Sequence, residues 1–182
     1  MEIIKLRYGY YNQAKNIYTE SFPKEERYLS FKELANNAMM DNAQMYCLID
    51  EDVVQGLIYN IIYEDMVFVL YLAVNFKSRH KGYGSKLIQW CLENYEGKSI
   101  YLNIDEVDKR FKDYDIRVKR LNFYLKNGFK MTDYLSVEEG CNFNILSNTG
   151  DLDLDKYIKL DLEVERILKD KPSKIVKREE LL

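Results

Sequence analysis

Between Val67 and Val74 the chain reads Val-Phe-Val-Leu-Tyr-Leu-Ala-Val, with no charged residue to mark a wet face. A strand of that kind is covered on both sides, which calls for a sheet lying between layers of helices. It is the best candidate for a central strand. Downstream, Gly82 and Gly84 open a run in which Leu87, Ile88, Cys91, Leu92 and Tyr95 recur at helical spacing up to Gly97. Residues 99–104 then read as another strand. Strand, helix and strand in succession imply a parallel crossover, so an α/β fold is expected.

The rest of the chain supplies partners for that strand. Ile3, Ile4 and Leu6 suggest a first strand, and Tyr11, Ala14, Ile17, Tyr18 and Phe22 mark a helix ending near Ser21, before Pro23. Ser30 with Glu33 three residues later is a capping box, opening a helix with Phe31, Leu34, Ala35 and Ala38 on one face. Residues 45–49 and 53–63 are rich in Val, Ile and Tyr and flank the acidic turn Asp50-Glu51-Asp52, as in a hairpin. Val118, Leu121, Tyr124 and Leu125 mark a further helix closed by Asn127-Gly128, and two late strands are expected near 129–137 and 141–146. Beyond them, Ile158, Val164, Ile167 and Leu168 form an uneven apolar stripe that Pro172 stops. The basic stretch 171–178 reads as a solvated, frayed end.

Composition excludes several classes. The 182 residues carry a net charge of -3, which gives no global field toward nucleic acid or anionic lipid. The longest apolar run is too short to span a bilayer, and the first residues lack the pattern of a signal peptide, so a soluble, cytoplasmic protein is expected. Cys47, Cys91 and Cys141 show no CxxC spacing and there is a single histidine, so buried free thiols are expected and no metal.

The chemistry concentrates in Arg79-x-x-Gly82-x-Gly84, between a strand and a helix. Two glycines let the backbone turn so that several N–H groups converge, the helix dipole adds to their pull, and Arg79 and Lys81 can neutralise phosphate. A pyrophosphate is the natural occupant, from a dinucleotide or a coenzyme A. A P-loop is excluded by the order Gly82-Tyr83-Gly84-Ser85-Lys86, and a Rossmann fingerprint wants a small residue where Leu87 stands.

The run from Leu72-Ala73-Val74 through Arg79-His80-Lys81-Gly82-Tyr83-Gly84-Ser85 resembles the acetyl-CoA motif of the GNAT superfamily of acetyltransferases. Asn122-Phe123-Tyr124-Leu125-Lys126-Asn127-Gly128-Phe129 is similar to that superfamily's second signature. The resemblance covers residues 1–146 as one GNAT domain and leaves 147–182 as a polar turn, a helix and a basic tail. It implies a mixed, mostly antiparallel sheet of about six or seven strands flanked by helices.

The resemblance also implies direct transfer of an acetyl group from acetyl-CoA to a primary amine of a small molecule or peptide, by a monomer or homodimer. Leu72, Ala73 and Val74 would meet the pantetheine arm, Arg79, His80, Lys81, Gly82, Tyr83, Gly84 and Ser85 the pyrophosphate. A splay beyond Val74 would admit the thioester, and Tyr124 would protonate the departing thiolate. The acceptor would lie among residues 22–28, 59–63 and 134–143, with Phe22, Glu25 and Tyr28 as candidate contacts. No motif identifies the base; Glu25, Glu26, Glu64, Asp65, Asp105 and Glu106 are the candidates. Arg117 stands where many members have asparagine, which puts its contact with the cofactor in doubt. Two other readings are open: a non-catalytic acyl-CoA sensing module with a protein partner, and RNA binding by the basic end.

Overall fold

The computed structural model describes residues 1–40, 42–138 and 140–181. In chain order the elements are β1 (Glu2–Lys5), α1 (Tyr11–Ser21), α2 (Phe31–Met40), β2 (Ala43–Asp50), β3 (Val53–Tyr63) and β4 (Met66–Val74). They continue with α3 (Tyr83–Asn94), β5 (Ser99–Asp105), α4 (Tyr114–Lys126), β6 (Lys130–Glu138), β7 (Cys141–Ser147), α5 (Leu154–Leu168) and β8 (Lys174–Lys177). One sheet holds the strands in the order β1-β2-β3-β4-β5-β7-β6-β8. Among the described residues only β4 and β5 are parallel neighbours, joined by the crossover through α3.

The sheet separates two cores. Val67 and Val69 of β4 join Leu87, Ile88 and Cys91 of α3 on one face. Met66, Phe68, Tyr71 and Ala73 join α1, α2 and α5 on the other. The apolar run is therefore covered on both sides, as its sequence requires. Helix ends form where the local chemistry says. Ser30 N–H donates to Glu33 Oε2 at 3.0 Å while Glu33 N–H donates to Ser30 Oγ at 3.3 Å, the reciprocal capping box. At the end of α4, Phe129 N–H donates to Tyr124 O and Gly128 N–H to Leu125 O, with Gly128 left-handed at φ 95°. That pair of bonds is a Schellman motif.

The sheet has one strand more than expected, because the basic stretch is not a frayed end. Residues 174–177 pair antiparallel with β6 through Val176 opposite Leu135. Val176 is buried, Ile175 packs against the core, and the two lysines stay exposed, a pattern suited to an edge strand. Arg178 follows and donates to Asn144 Oδ1 at 2.9 Å. The stripe of α5 also differs from its sequence reading: Ile158 is exposed, whereas Tyr157, Leu160, Asp161, Val164 and Glu165 face inward. Cys47 and Cys91 are buried, their thiols pushed up to about 12 by burial, but Cys141 is exposed.

Glycine at position 56 sets how closely α3 lies on the sheet. A Cβ built there would sit 2.8 Å from Ala73 O and 2.9 Å from Leu87 Cδ1. Neither neighbour has room to retreat, since both are buried. Gly56→Ala is expected to cost about 1–3 kcal/mol by overpacking, seen as a lower melting temperature. An unchanged melting temperature would show that α3 is free to move away.

Candidate active site

The two central strands part company early. Pairing of β4 with β5 runs only from Met66 opposite Ser99 to Phe68 opposite Tyr101. On its other edge β4 stays paired with β3, where Tyr59 opposes Tyr71 but Asn60 opposes Val69, so Leu70 is an extra residue. This bulge switches the inward side chains from Met66 and Phe68 to Tyr71 and Ala73 and bends the strand away from β5. The splay thus begins near Val69, not beyond Val74.

Backbone groups are left open there. Asn75 N–H donates to Gln55 O of the β3 side at 2.8 Å. Because facing groups alternate along an antiparallel ladder, Tyr71 and Ala73 also face β3, while Leu72 and Val74 present N–H and C=O to the open side.

At the end of β4 the loop turns into α3. Gly82 is its N-cap at φ 83°, a left-handed conformation that costs an L-residue about 1–2 kcal/mol, and it carries no side chain to cap the helix. None of the amides of residues 80–85 donates to a partner among the described residues. These orphan donors lie beside the exposed side chains of Arg79, His80, Lys81 and Lys86. Tyr83 anchors the first turn through its hydroxyl, which donates to Asp50 Oδ2 at 2.7 Å. Gly84 also has a packing role. A Cβ there would stand 3.2 Å from the Phe123 ring and 3.5 Å from Val74 Cγ2, so its absence lets α3, α4 and β4 converge.

Tyr124 lies in that convergence, half-buried, with its ring 6.0 Å edge-on to Phe129. No described residue hydrogen-bonds to its hydroxyl. Burial pushes the phenol up to about 12, against a smaller downward pull from Arg120 one turn away. Arg117 is occupied elsewhere: it donates to Asp113 Oδ1 and Glu106 O and covers the Phe111 ring at 3.9 Å. It holds the 105–115 segment in place.

On the other face of the sheet the splay opens into a cavity of about 530 Å³. Val69, Leu70 and Tyr71 of β4, Asn103 and Asp105 of β5, and Arg120 form one end. Phe22, Glu25 and Tyr28 all line it, as do Glu26 and residues 137, 138, 141 and 143. Residues 59–63 do not; Tyr59 is buried beneath Tyr71. Of the candidate bases Glu25, Glu26 and Asp105 are in the lining, and burial raises Glu26 above the usual carboxylate range. Asp65 is instead paired with Lys156, and Glu106 accepts from Asn142. A second cavity of about 450 Å³ beside α3 touches neither β4 nor β5.

The lining includes residues the sequence reading missed, Asp161 and Glu165 of α5. Their signal was present. Tyr157, Asp161, Val164, Glu165 and Leu168 fall at the spacing of one helical face, so two carboxylates belong to the buried side. Among the described residues no group of three or more His, Cys, Asp or Glu converges to hold a metal ion, and no helix is long and apolar enough to cross a membrane.

Residues 41–131 match the family profile described as acetyltransferase (GNAT) domain, which is half of the chain. The chain belongs to the GNAT acetyltransferases, a family whose cosubstrate is acetyl-CoA. Among solved structures, a GNAT-family protein from Bacteroides thetaiotaomicron is similar at a TM-score of 0.72 and 22% identity, over 92% of this chain and 98% of that one. An aminoglycoside 6'-N-acetyltransferase complexed with coenzyme A is similar at 0.64 and 18%, over 81% and 96%. A ribosomal-protein alanine N-acetyltransferase from Escherichia coli follows at 0.61 and 15%, over 80% and 91%. At such identities the likeness shows the fold. A search of curated proteins returns no match.

Glu165 makes stability depend on pH. Burial first, then the carboxylates of Asp161, Asp170 and Glu138, push it up to about 8, and Asp161 is raised to about 6 by burial. A carboxyl raised above its unfolded value contributes stability below that value and loses it as pH climbs through the folded one. The ligand-free protein is therefore expected to melt at lower temperature as pH rises from roughly 5 to 9, and Glu165→Gln to reduce that fall. A Glu165→Gln protein with the wild-type pH slope would refute the assignment.

Proposed function

We propose that this protein is an N-acetyltransferase that carries an acetyl group from acetyl-CoA, bound along β4 and the α3 loop, to an amine in the cavity between β4, β5 and α5. The observation that carries the reading is the splay of β4 from β5, which joins a cluster of unpaired amides to an acidic cavity. The orphan donors before α3 and the cations Arg79, Lys81 and Lys86 suit the pyrophosphate. The open N–H and C=O groups of Leu72 and Val74 suit the amide-bearing pantetheine arm, and the N–H of Leu72 is the donor assigned to the thioester carbonyl oxygen. The similar aminoglycoside enzyme, complexed with coenzyme A, and the similar ribosomal-protein enzyme both name amine acceptors, which supports the class of reaction and leaves the acceptor open.

Acceptor amines arrive as ammonium ions and must lose a proton before attack. Glu26 is the residue assigned to take it, since it lines the cavity near the splay and is raised by burial into a range more basic than a surface carboxylate. Tyr124 is assigned to the leaving sulfur. Its phenol, at about 12, holds its proton more firmly than a thiol near 8.5, so it acts as a hydrogen-bond donor to the thiolate more than as a strong acid. Acid assistance to a tolerable leaving group is worth little.

A free-thiol assay with acetyl-CoA against a panel of amines tests the reading, with no thiol release from any amine as the result against it. Coenzyme A at a hundredfold excess over its Kd should stabilise the fold by about 2.7 kcal/mol, and Gly82→Ala should diminish that gain by straining the loop. Tyr124→Phe should lower kcat by about 10-fold to 10³-fold with KM for acetyl-CoA nearly unchanged. Wild-type kcat in a well-folded Tyr124→Phe enzyme, with chemistry rate-limiting, would leave Tyr124 as a packing residue.

A further inference from the structure

The end of the cavity away from β5 is built by four carboxylates: Glu138 at the end of β6, Asp161 and Glu165 one turn apart on α5, and Asp170 just beyond. Glu165 is 7% exposed, and its Oε2 has no hydrogen-bond partner among the described residues. A buried carboxylate without a partner is costly in either form: ionised it lacks a counter-charge, and protonated it still leaves an acceptor bare. The neighbours do not relieve it. Asp161 is 8% exposed and accepts from Ser173 N–H at 3.1 Å, while Glu138 accepts from Ser173 Oγ at 3.2 Å and Tyr28 Oη at 2.9 Å. All of these donors are neutral.

No described lysine or arginine forms an ion pair with Glu138, Asp161 or Glu165. Of the two cations that line the cavity, Arg120 is paired with Asp105 at the opposite end and Lys171 is exposed. The carboxylates do not converge closely enough for a metal ion. They are held by β6, by α5 and by the turn after it, around a space sized for a small organic ligand. Left-handed Lys169 reverses the chain after α5 and brings Asp170, Lys171 and Pro172 to the cavity wall.

We propose that this end is a second ammonium subsite, so that the acceptor is a small organic dication or polycation. One nitrogen lies at the β4–β5 splay to be acetylated, and another is held by Glu165 in the field of Asp161 and Glu138. This rests on the reading of the cavity as the acceptor site and adds what the acceptor must carry. An ammonium offers three donors and no acceptor, the complement of an unpartnered carboxylate oxygen. A monoamine occupies only one of the two positions.

Binding has a proton signature. In the ligand-free protein Glu165, facing Asp161, Asp170, Glu138 and the phenol of Tyr28, keeps its proton near neutral pH. An ammonium placed beside it favours the carboxylate, and the carboxyl proton passes to the buffer while the ligand nitrogen keeps its own.

The test is calorimetric titration of the coenzyme A-loaded protein at neutral pH with cadaverine, spermidine, an aminoglycoside and pentylamine, in two buffers of different ionisation enthalpy. Cadaverine is expected to bind at least about tenfold more tightly than pentylamine, with release of up to about one proton. Glu165→Gln should abolish that release and reduce the diamine preference about tenfold, while the melting shift given by coenzyme A certifies its fold. Equal affinity for diamine and monoamine, no proton release in the wild type, or a preference retained in Glu165→Gln would overturn the proposal. The first two readouts need no variant. Acetylation measured in parallel separates the layers. Glu165-dependent binding without acetylation would leave the subsite and remove the acceptor reading, whereas diamine acetylation with the same kcat/KM in Glu165→Gln would do the reverse. The tighter of spermidine and aminoglycoside shows whether the charges sit on a chain or on rings, and failure of both to bind overturns the subsite.

Discussion

The separation of β4 from β5 organises this molecule. Two parallel strands that begin paired at Met66–Phe68 and Ser99–Tyr101 would, if pairing continued, form an unbroken sheet with nothing to offer a ligand. That pairing stops at Phe68, and one extra residue against β3, Leu70, changes which side chains face which core. The unpaired backbone that results turns its N–H and C=O groups to the gap, where water or a bound molecule can satisfy them. The close seat of α3 at Gly56 and the convergence of Gly84, Val74 and Phe123 frame the gap from above, and the cavity extends from it below.

Charge is divided across this gap. The chain carries a net charge of only -3, yet its loop before α3 is basic and the cavity wall on the other face is acidic. An anionic cosubstrate and the cationic acceptor proposed above would therefore enter from opposite sides, each drawn by its own patch and repelled by the other. Such an arrangement gives orientation more than affinity. The buried part of the acidic wall is the more consequential half, because burial prevents water from screening it.

Much of this was readable before any coordinates. The doubly apolar run placed β4, the glycine signals placed the ends of α3 and α4, and Ser30 with Glu33 placed the start of α2. These are local effects, in which a few neighbouring residues decide the backbone. Two other features were not legible because they are settled at a distance. Residues 174–177 became a strand because β6 had a free edge; Ile-Val suits a strand, but four residues beside Pro172 do not reveal a partner so distant in sequence. The bulge at Leu70 arises from register against β3 and leaves the apolar run looking regular. The motif Arg79 to Ser85 marked the turn into α3, and Phe22, Glu25 and Tyr28 do share one cavity. Asp161 and Glu165 are hidden in the sequence because Ile158, apolar but exposed, pulls the apparent stripe of α5 away from its buried face.

The position of α5 in the chain has a consequence for how the protein comes to exist. This helix and β8 follow every other element in sequence, yet α5 covers one face of the sheet. Asn37 Nδ2 donates to Ile167 O, and Tyr157 Oη donates to Asn103 Oδ1. During synthesis, Tyr101, whose ring packs edge-on against Tyr157 at 5.1 Å, has no full cover until α5 has left the ribosome. Contacts so far apart in sequence form slowly, and exposed apolar surface invites aggregation in the interval. The same segment that hides this surface supplies Asp161 and Glu165, so the nascent chain gains its acidic wall only in the step that makes it safe from its neighbours.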